Sequence, residues 1–161
     1  MFREMRRKRQ QISKEECESV LRENVTGVLG VIGDGGYPYT VPVNYHYTDG
    51  KIYFHGAKSG HKLDSMIAND KVSFCVIDKD DVDNEKMTTL YRSVIIFGRV
   101  RVISDTEEMI EKVREFGLRY NPSLEAVNAE IKAELPGLRV FEVTPEHMTG
   151  KVGKELLHST Q

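Results

Sequence analysis

The feature that most constrains this chain is a change of texture at Val25. From there to Ala57, β-branched and aromatic residues alternate with polar ones and are cut by glycine turns: VTGVLGVI, GDGG, YPYTVPVNYHY, TDG, KIYFHGA. Period-two alternation sends successive side chains to opposite faces, so these runs predict three antiparallel strands. Asp49-Gly50 predicts a tight hairpin, because a type I′ turn needs positive φ at both central residues. Pro38 and Pro42 bring no N–H to a ladder, which predicts an edge, a bulge or an interruption near 38–44 and backbone groups left over for a ligand.

The rest of the chain dresses this sheet. Ser13 and Glu16 have capping-box spacing, and Val20 and Leu21 give 13–24 an apolar side, which predicts a short helix. Residues 60–69 read as a helix burying Leu63, Met66 and Ile67, followed by a strand, KVSFCVI, that buries Cys75. The charged stretch DKDDVDNEK, 78–86, reads as a long surface loop, and LYRSVIIFGRVRVI, 90–103, as a long strand bent at Gly98. Met109, Val113, Phe116 and Tyr120 mark an amphipathic helix over 105–120. Asn121 and Pro122 read as the N-cap and first residue of another, which Pro136-Gly137 ends before a last strand, LRVFEVTPEHM. The expected fold is mainly β, of the α+β class: a six-stranded antiparallel barrel, closed or split, with peripheral helices.

A length of 161 residues suits one domain. The expected organisation is a basic N-terminal arm over 1–12, a core domain over 13–155 and a tail over 156–161. Twenty-three Lys and Arg against 25 Asp and Glu give a net charge of −2, which supplies no overall field for nucleic acid or acidic membranes, so a small-molecule partner is expected. The cluster Arg3, Arg6, Arg7, Lys8 and Arg9 reads as a solvated terminal run. Cys17 and Cys75 form no ligand spacing, so no metal or disulfide framework is expected. No apolar stretch of signal-peptide or membrane-spanning length is present in the sequence, and a cytoplasmic location is expected. His147 and His158 show no partner pattern and receive no role.

Chemistry concentrates in KIYFHGAKSGHKLDSM, 51–66. A strand ends at His55, a glycine turn follows, and a helix opens with Lys58, Ser59, His61 and Lys62 in its first turn. Unpaired N–H groups and the positive end of the helix dipole, joined by lysines, make an anion site suited to phosphate. The phosphate loop of nucleotide hydrolases is a different pattern: His61 separates Gly60 from Lys62, and Leu63 stands where a magnesium-binding hydroxyl is needed. The plain alternative is a capped helix with solvated charges.

The run VPVNYHYTDGKIYFHGAKSGHK, preceded by GVLGVIGDGGYPY, resembles the pyridoxamine 5′-phosphate oxidase-like split-barrel superfamily, and within it the 5-nitroimidazole resistance (nitroimidazole reductase, Nim) branch. The likeness extends over most of 5–155, including SVIIFGRV and the closing Thr149-Gly150-Lys151. It implies FMN at a homodimer interface. The phosphate would be held by His55, Gly56, Ala57, Lys58, His61 and Lys62, and the ring would lie along Pro42, Val43, Asn44 and Tyr45.

That resemblance implies an FMN-dependent oxidoreductase, a nitroreductase acting on nitroimidazole-like molecules with electrons from a nicotinamide or ferredoxin-type donor. His55 is the candidate catalytic residue, since an imidazole near the phosphate turn can donate a hydrogen bond or a proton at neutral pH. The flavin would carry the redox chemistry, so no separate acid, base or nucleophile is required. The alternatives are a flavin storage or redox-sensing module, an enzyme of the pyridoxamine 5′-phosphate oxidase type, or an interaction domain without cofactor. The oxidase proper has arginines where this turn has His and Gly.

Overall fold

The computed structural model describes residues 1–157. Its centre is an eight-stranded antiparallel sheet: β1 (Gln11–Ile12), β2 (Thr26–Ile32), β3 (Pro38–Asn44), β4 (His46–Thr48), β5 (Lys51–Ala57), β6 (Lys71–Asp83), β7 (Thr88–Ile103) and β8 (Leu138–Val152). The spatial order is β3-β2-β6-β7-β8-β5-β4, with β1 paired to β8. The two ends of this order, β3 and β4, are separated along the chain by Tyr45 alone, so the sheet must roll until its edges meet there. Inward residues of the rolled sheet, among them Leu29, Phe54, Phe74, Ile96 and Phe141, form one buried core. Tyr45 points into it, with its ring edge-on to Phe74 and its hydroxyl donating to the Leu21 carbonyl at 2.9 Å.

Helix α1 (Lys14–Glu23) carries the expected capping box, Glu16 N–H to Ser13 Oγ at 3.1 Å and Ser13 N–H to the Glu16 carboxylate at 2.7 Å. Helix α2 (His61–Ala68) follows the glycine turn. Helices α3 (Thr106–Tyr120) and α4 (Leu124–Glu134) form a hairpin outside the sheet, over a smaller core of Tyr53, Ile103, Met109 and Val140. The Asp49-Gly50 turn has φ of 51° and 73°, the pair that a type I′ turn requires.

Several expectations are corrected. The strands number eight rather than six, because the run 38–48 divides at Tyr45 and Gln11–Ile12 adds a short pair. The charged stretch 78–86 is mostly strand: β6 continues to Asp83 against Thr88–Arg92, with a bulge at Asp78 where Arg92 and Asn24 bind the carboxylate. Ile67 is 69% exposed, since α2 buries Leu63, Ser65 and Met66 instead. Ser123 caps α4, its Oγ accepting from Ala126 N–H, while Asn121 ends α3. Tyr120 is exposed and Cys75 half-buried, because α3 rests on the sheet mainly through Met109 and Cys75 faces outward.

The basic arm lies against the sheet rather than away from it. Phe2 stacks on His147 and Phe97, and the buried Gln10 donates to the Val152 carbonyl at 3.0 Å. Of the tail 156–161, His158 and the residues after it lie outside the described residues. No described helix is long and apolar enough to cross a membrane.

Candidate functional site

The glycine turn leaves the start of α2 open. Gly60, at φ 122°, is its N-cap and no side chain caps it; the first intrahelical bond is Asp64 N–H to the Gly60 carbonyl. Ser59 therefore does not cap, and the N–H groups of His61, Lys62 and Leu63 lack intrahelical acceptors. Lys58 is exposed. Lys62 is half-buried: its ammonium lies 5.7 Å from the centre of the Phe54 ring and makes no ion pair among the described residues. Burial lowers its pKa, as expected for a cation without a counter-charge. A Cβ on Gly56 would lie 3.1 Å from Lys62 Nζ, so the missing side chain is what lets the ammonium sit over the strand end. An uncapped helix start beside an unpaired ammonium and a glycine cradle fits the phosphate group of a nucleotide cofactor.

His61 is engaged elsewhere. Its ring stacks on Tyr39 at 4.3 Å and its Nε2 accepts the Asp34 N–H at 3.2 Å, fastening the 33–37 turn to α2. Gly33 leaves room for this contact, since a Cβ there would lie 3.0 Å from that nitrogen and push the stacked ring aside. His61 can reach a phosphate through its own N–H, while its imidazole ties β3 to the turn.

Along 42–45 the side chains divide by parity. Val43 and Tyr45 are buried, and Pro42 and Asn44 are exposed, with Asn44 Oδ1 accepting from Thr26 Oγ1 at 3.1 Å. Val43 and Tyr45 therefore turn their side chains to the core, and the Tyr45 N–H is committed to the Val25 carbonyl at 2.9 Å. Strand β3 pairs with β2 alone, and Pro38 and Pro42 stand opposite Ile32 and Val28. A proline cannot complete a bonded pair, so the even positions turn their backbone groups to the open edge, Thr40 and Asn44 with N–H donors.

The end of β5 separates two environments. Phe54 and Gly56 face the barrel interior with Lys62, whereas Tyr53, His55 and Ala57 face outward beneath α3 and α4. On the outer side lies a cavity of about 700 Å³, floored by His55, Phe116, Val127 and Ile131 and bordered by Glu130 and Glu134. His55 meets Phe116 edge-on at 5.1 Å. Burial, and secondarily the charge of Lys62, lower its pKa, so the neutral imidazole predominates at neutral pH. The cavity wall supplied by α3 and α4 is what sequence reasoning missed. Those helices showed only amphipathic spacing, and nothing local says that their apolar side stops short of the sheet.

Solved structures share this fold. A candidate 5-nitroimidazole antibiotic resistance protein from Bacteroides thetaiotaomicron is 25% identical, with a TM-score of 0.72 over 88% of this chain and 86% of that one. A conserved hypothetical protein from Mycobacterium tuberculosis is 19% identical, with a TM-score of 0.82 over 95% and 92%. An FAD-binding protein from Mesorhizobium loti is 24% identical, with a TM-score of 0.63 over 90% and 98%. A comparison with curated proteins finds no match. The profile of one family, described as pyridoxamine 5′-phosphate oxidase, matches residues 13–152, nearly the whole barrel, and the chain belongs to that family.

Proposed function

We propose that the protein binds FMN and acts as an oxidoreductase that reduces small, flat electrophiles of the nitroimidazole kind. The observation that carries this reading is the phosphate turn, in which an uncapped helix start meets the unpaired Lys62 over Gly56. From Tyr39, stacked on the first residue of α2, to Asn44 the open edge of β3 extends about 17 Å, at about 3.3 Å per residue, a run that an elongated ligand anchored at its phosphate can follow. When bound, the flavin supplies the electron transfer. Pro42 and Asn44 support its ring, the open-edge backbone of Thr40 and Asn44 orients it, and the Lys62 ammonium with the 55–58 backbone holds its phosphate.

The cavity beside His55 receives the substrate. Its lining contains two carboxylates and neither lysine nor arginine, so it suits a neutral or cationic heteroaromatic and disfavours a phosphorylated one such as pyridoxamine phosphate. The flavin site is completed in a homodimer. On the outer face of the sheet Pro42, Val28, Cys75 and Ile95 lie in register across four strands, an apolar row next to the proposed ring site. The electrons come from a nicotinamide or ferredoxin-type donor.

The purified protein should be yellow, and the released cofactor should have the mass of FMN rather than FAD. After reduction, the bound flavin should be reoxidised by a nitroimidazole under anaerobic conditions. A colourless protein that takes up no added flavin overturns the proposal, and a flavin indifferent to the nitro compound overturns its substrate.

A further inference from the structure

The pairing of β5 with β8 brings a second cation to the phosphate turn from the far end of the chain. In this ladder Phe54 stands opposite Phe141 and Gly56 opposite Arg139. Residues directly opposed across an antiparallel pair share a face, with Cα atoms about 4.5–5.5 Å apart. Phe54 and Phe141 face the core and stack at 5.0 Å, so Gly56 and Arg139, two residues along each strand, share that interior face at its rim. The Cβ that Gly56 lacks would lie 3.1 Å from Lys62 Nζ and 3.5 Å from the Phe141 ring. By register Arg139 thus stands opposite the strand end over which the Lys62 ammonium sits, next to the Phe54–Phe141 pair.

Neither cation has a carboxylate partner among the described residues, although Arg92, Arg99 and Arg101, on the neighbouring strand β7, are each paired. Like charges held near one another repel, and the arrangement becomes favourable when an anion lies between them. A terminal phosphate monoester carries a charge of about −1.5 to −2 at pH 7, which two cations neutralise. A phosphate within a diphosphate bridge, as in FAD, carries a single charge and must also continue past the clamp. The arginine adds a planar fork that can hold two phosphate oxygens at once.

We propose that Arg139 is the second cation of the phosphate site and that, with Lys62, it clamps a terminal phosphate monoester in preference to a bridging diphosphate. This rests on the flavin reading given above and assigns the charge that separates FMN from FAD and riboflavin.

Dissociation constants for FMN, riboflavin and FAD, measured by flavin fluorescence on the full chain freed of flavin, test the clamp. Arg139→Gln should weaken FMN about ten- to a hundred-fold, the effect of losing a charge-assisted contact, with riboflavin unchanged and FAD weakened less than FMN. Lys62→Ala should show the same pattern. Arg139→Lys keeps the charge without the fork and should lose less, and it serves as the test variant if the thermal midpoint shows that Arg139→Gln is unfolded. An unaltered FMN affinity, or an equal loss for riboflavin, overturns the clamp. If the wild-type chain takes up no flavin, the flavin reading fails on its own and inorganic phosphate, titrated calorimetrically, decides the clamp: binding abolished by Arg139→Gln upholds it, and no binding rejects it.

Discussion

Two titratable side chains on the outer face of the barrel show how differently the fold treats them. Glu142, opposite Tyr53 in the ladder, is buried and accepts from Arg101 Nε and Nη2 at 2.8 Å each, from Lys51 at 3.0 Å and from the Tyr53 hydroxyl at 3.0 Å. These donors, Arg101 foremost, pull its pKa down to about 2, against a burial that would raise it, and every oxygen is committed to structure. His55, two residues past Tyr53 on the same face, makes no hydrogen bond among the described residues and faces the cavity. An imidazole with a lowered pKa holds fewer protons folded than unfolded, as does His46, also lowered by burial. Between the folded values and about 6.5 stability therefore rises with pH, and it falls as pH drops through that window. If His55 donates a proton to substrate, single-turnover reoxidation by a nitroimidazole should accelerate as the pH falls below about 6.5. His55→Gln should slow the reaction and flatten that profile while leaving the FMN dissociation constant unchanged. Equal rates and profiles in both proteins would make His55 a packing residue.

The long strands depend on single positions where the ladder must bend. At Gly98 the β7–β8 register slips between Phe97 and Gly98, and an added Cβ would lie 2.4 Å from the Thr144 carbonyl oxygen. That neighbour is backbone within a paired strand and cannot rotate away. Gly98→Ala should cost about 1–3 kcal/mol, read as a lower urea midpoint with an unchanged slope. A loss below about 0.5 kcal/mol would show that the bulge relaxes freely. A glycine inside a β-branched run marked the position, although the extra residue of the bulge is Glu146 on β8, and β7 keeps its register with β6 through Gly98. The β6–β7 ribbon beyond Asp78 was not legible in the sequence. Its charges are exposed, as a solvated loop's are, and its strand character comes from backbone bonds to Thr88–Arg92 rather than from burial of its own side chains.

At the scale of the whole molecule the barrel leaves one face apolar. Ile77 is 58% and Ile95 42% exposed, and Ile95 belongs to the row that starts at Pro42 beside the proposed ring site. Covering that row with a second copy would bury apolar area and close the flavin site in one step. Ile95→Arg leaves the barrel interior untouched, since the side chain faces outward. It should convert a sedimenting dimer into a monomer and release flavin. A wild-type chain that sediments as a monomer with flavin fully bound contradicts the dimer, and an Ile95→Arg dimer with flavin retained places its interface elsewhere.

By itself the sequence determined what lies close along the chain. The Asp49-Gly50 hairpin, the Ser13–Glu16 capping box and the glycine turn before Lys62 each depend on the dihedral freedom or reach of a few neighbouring residues. The family resemblance extended that reach to the barrel, because a pattern covering most of the chain constrains the order of strands as no single turn can. Tertiary structure decided whatever needed two distant segments at once: that Tyr45 joins the sheet's edges, that His61 stacks on Tyr39, and that α3 and α4 wall a cavity over His55. Arg139 is the plainest case. In sequence it is one basic residue after a Pro-Gly stop, and only the β5–β8 register, fixed by the buried faces of both strands, sets it opposite Gly56.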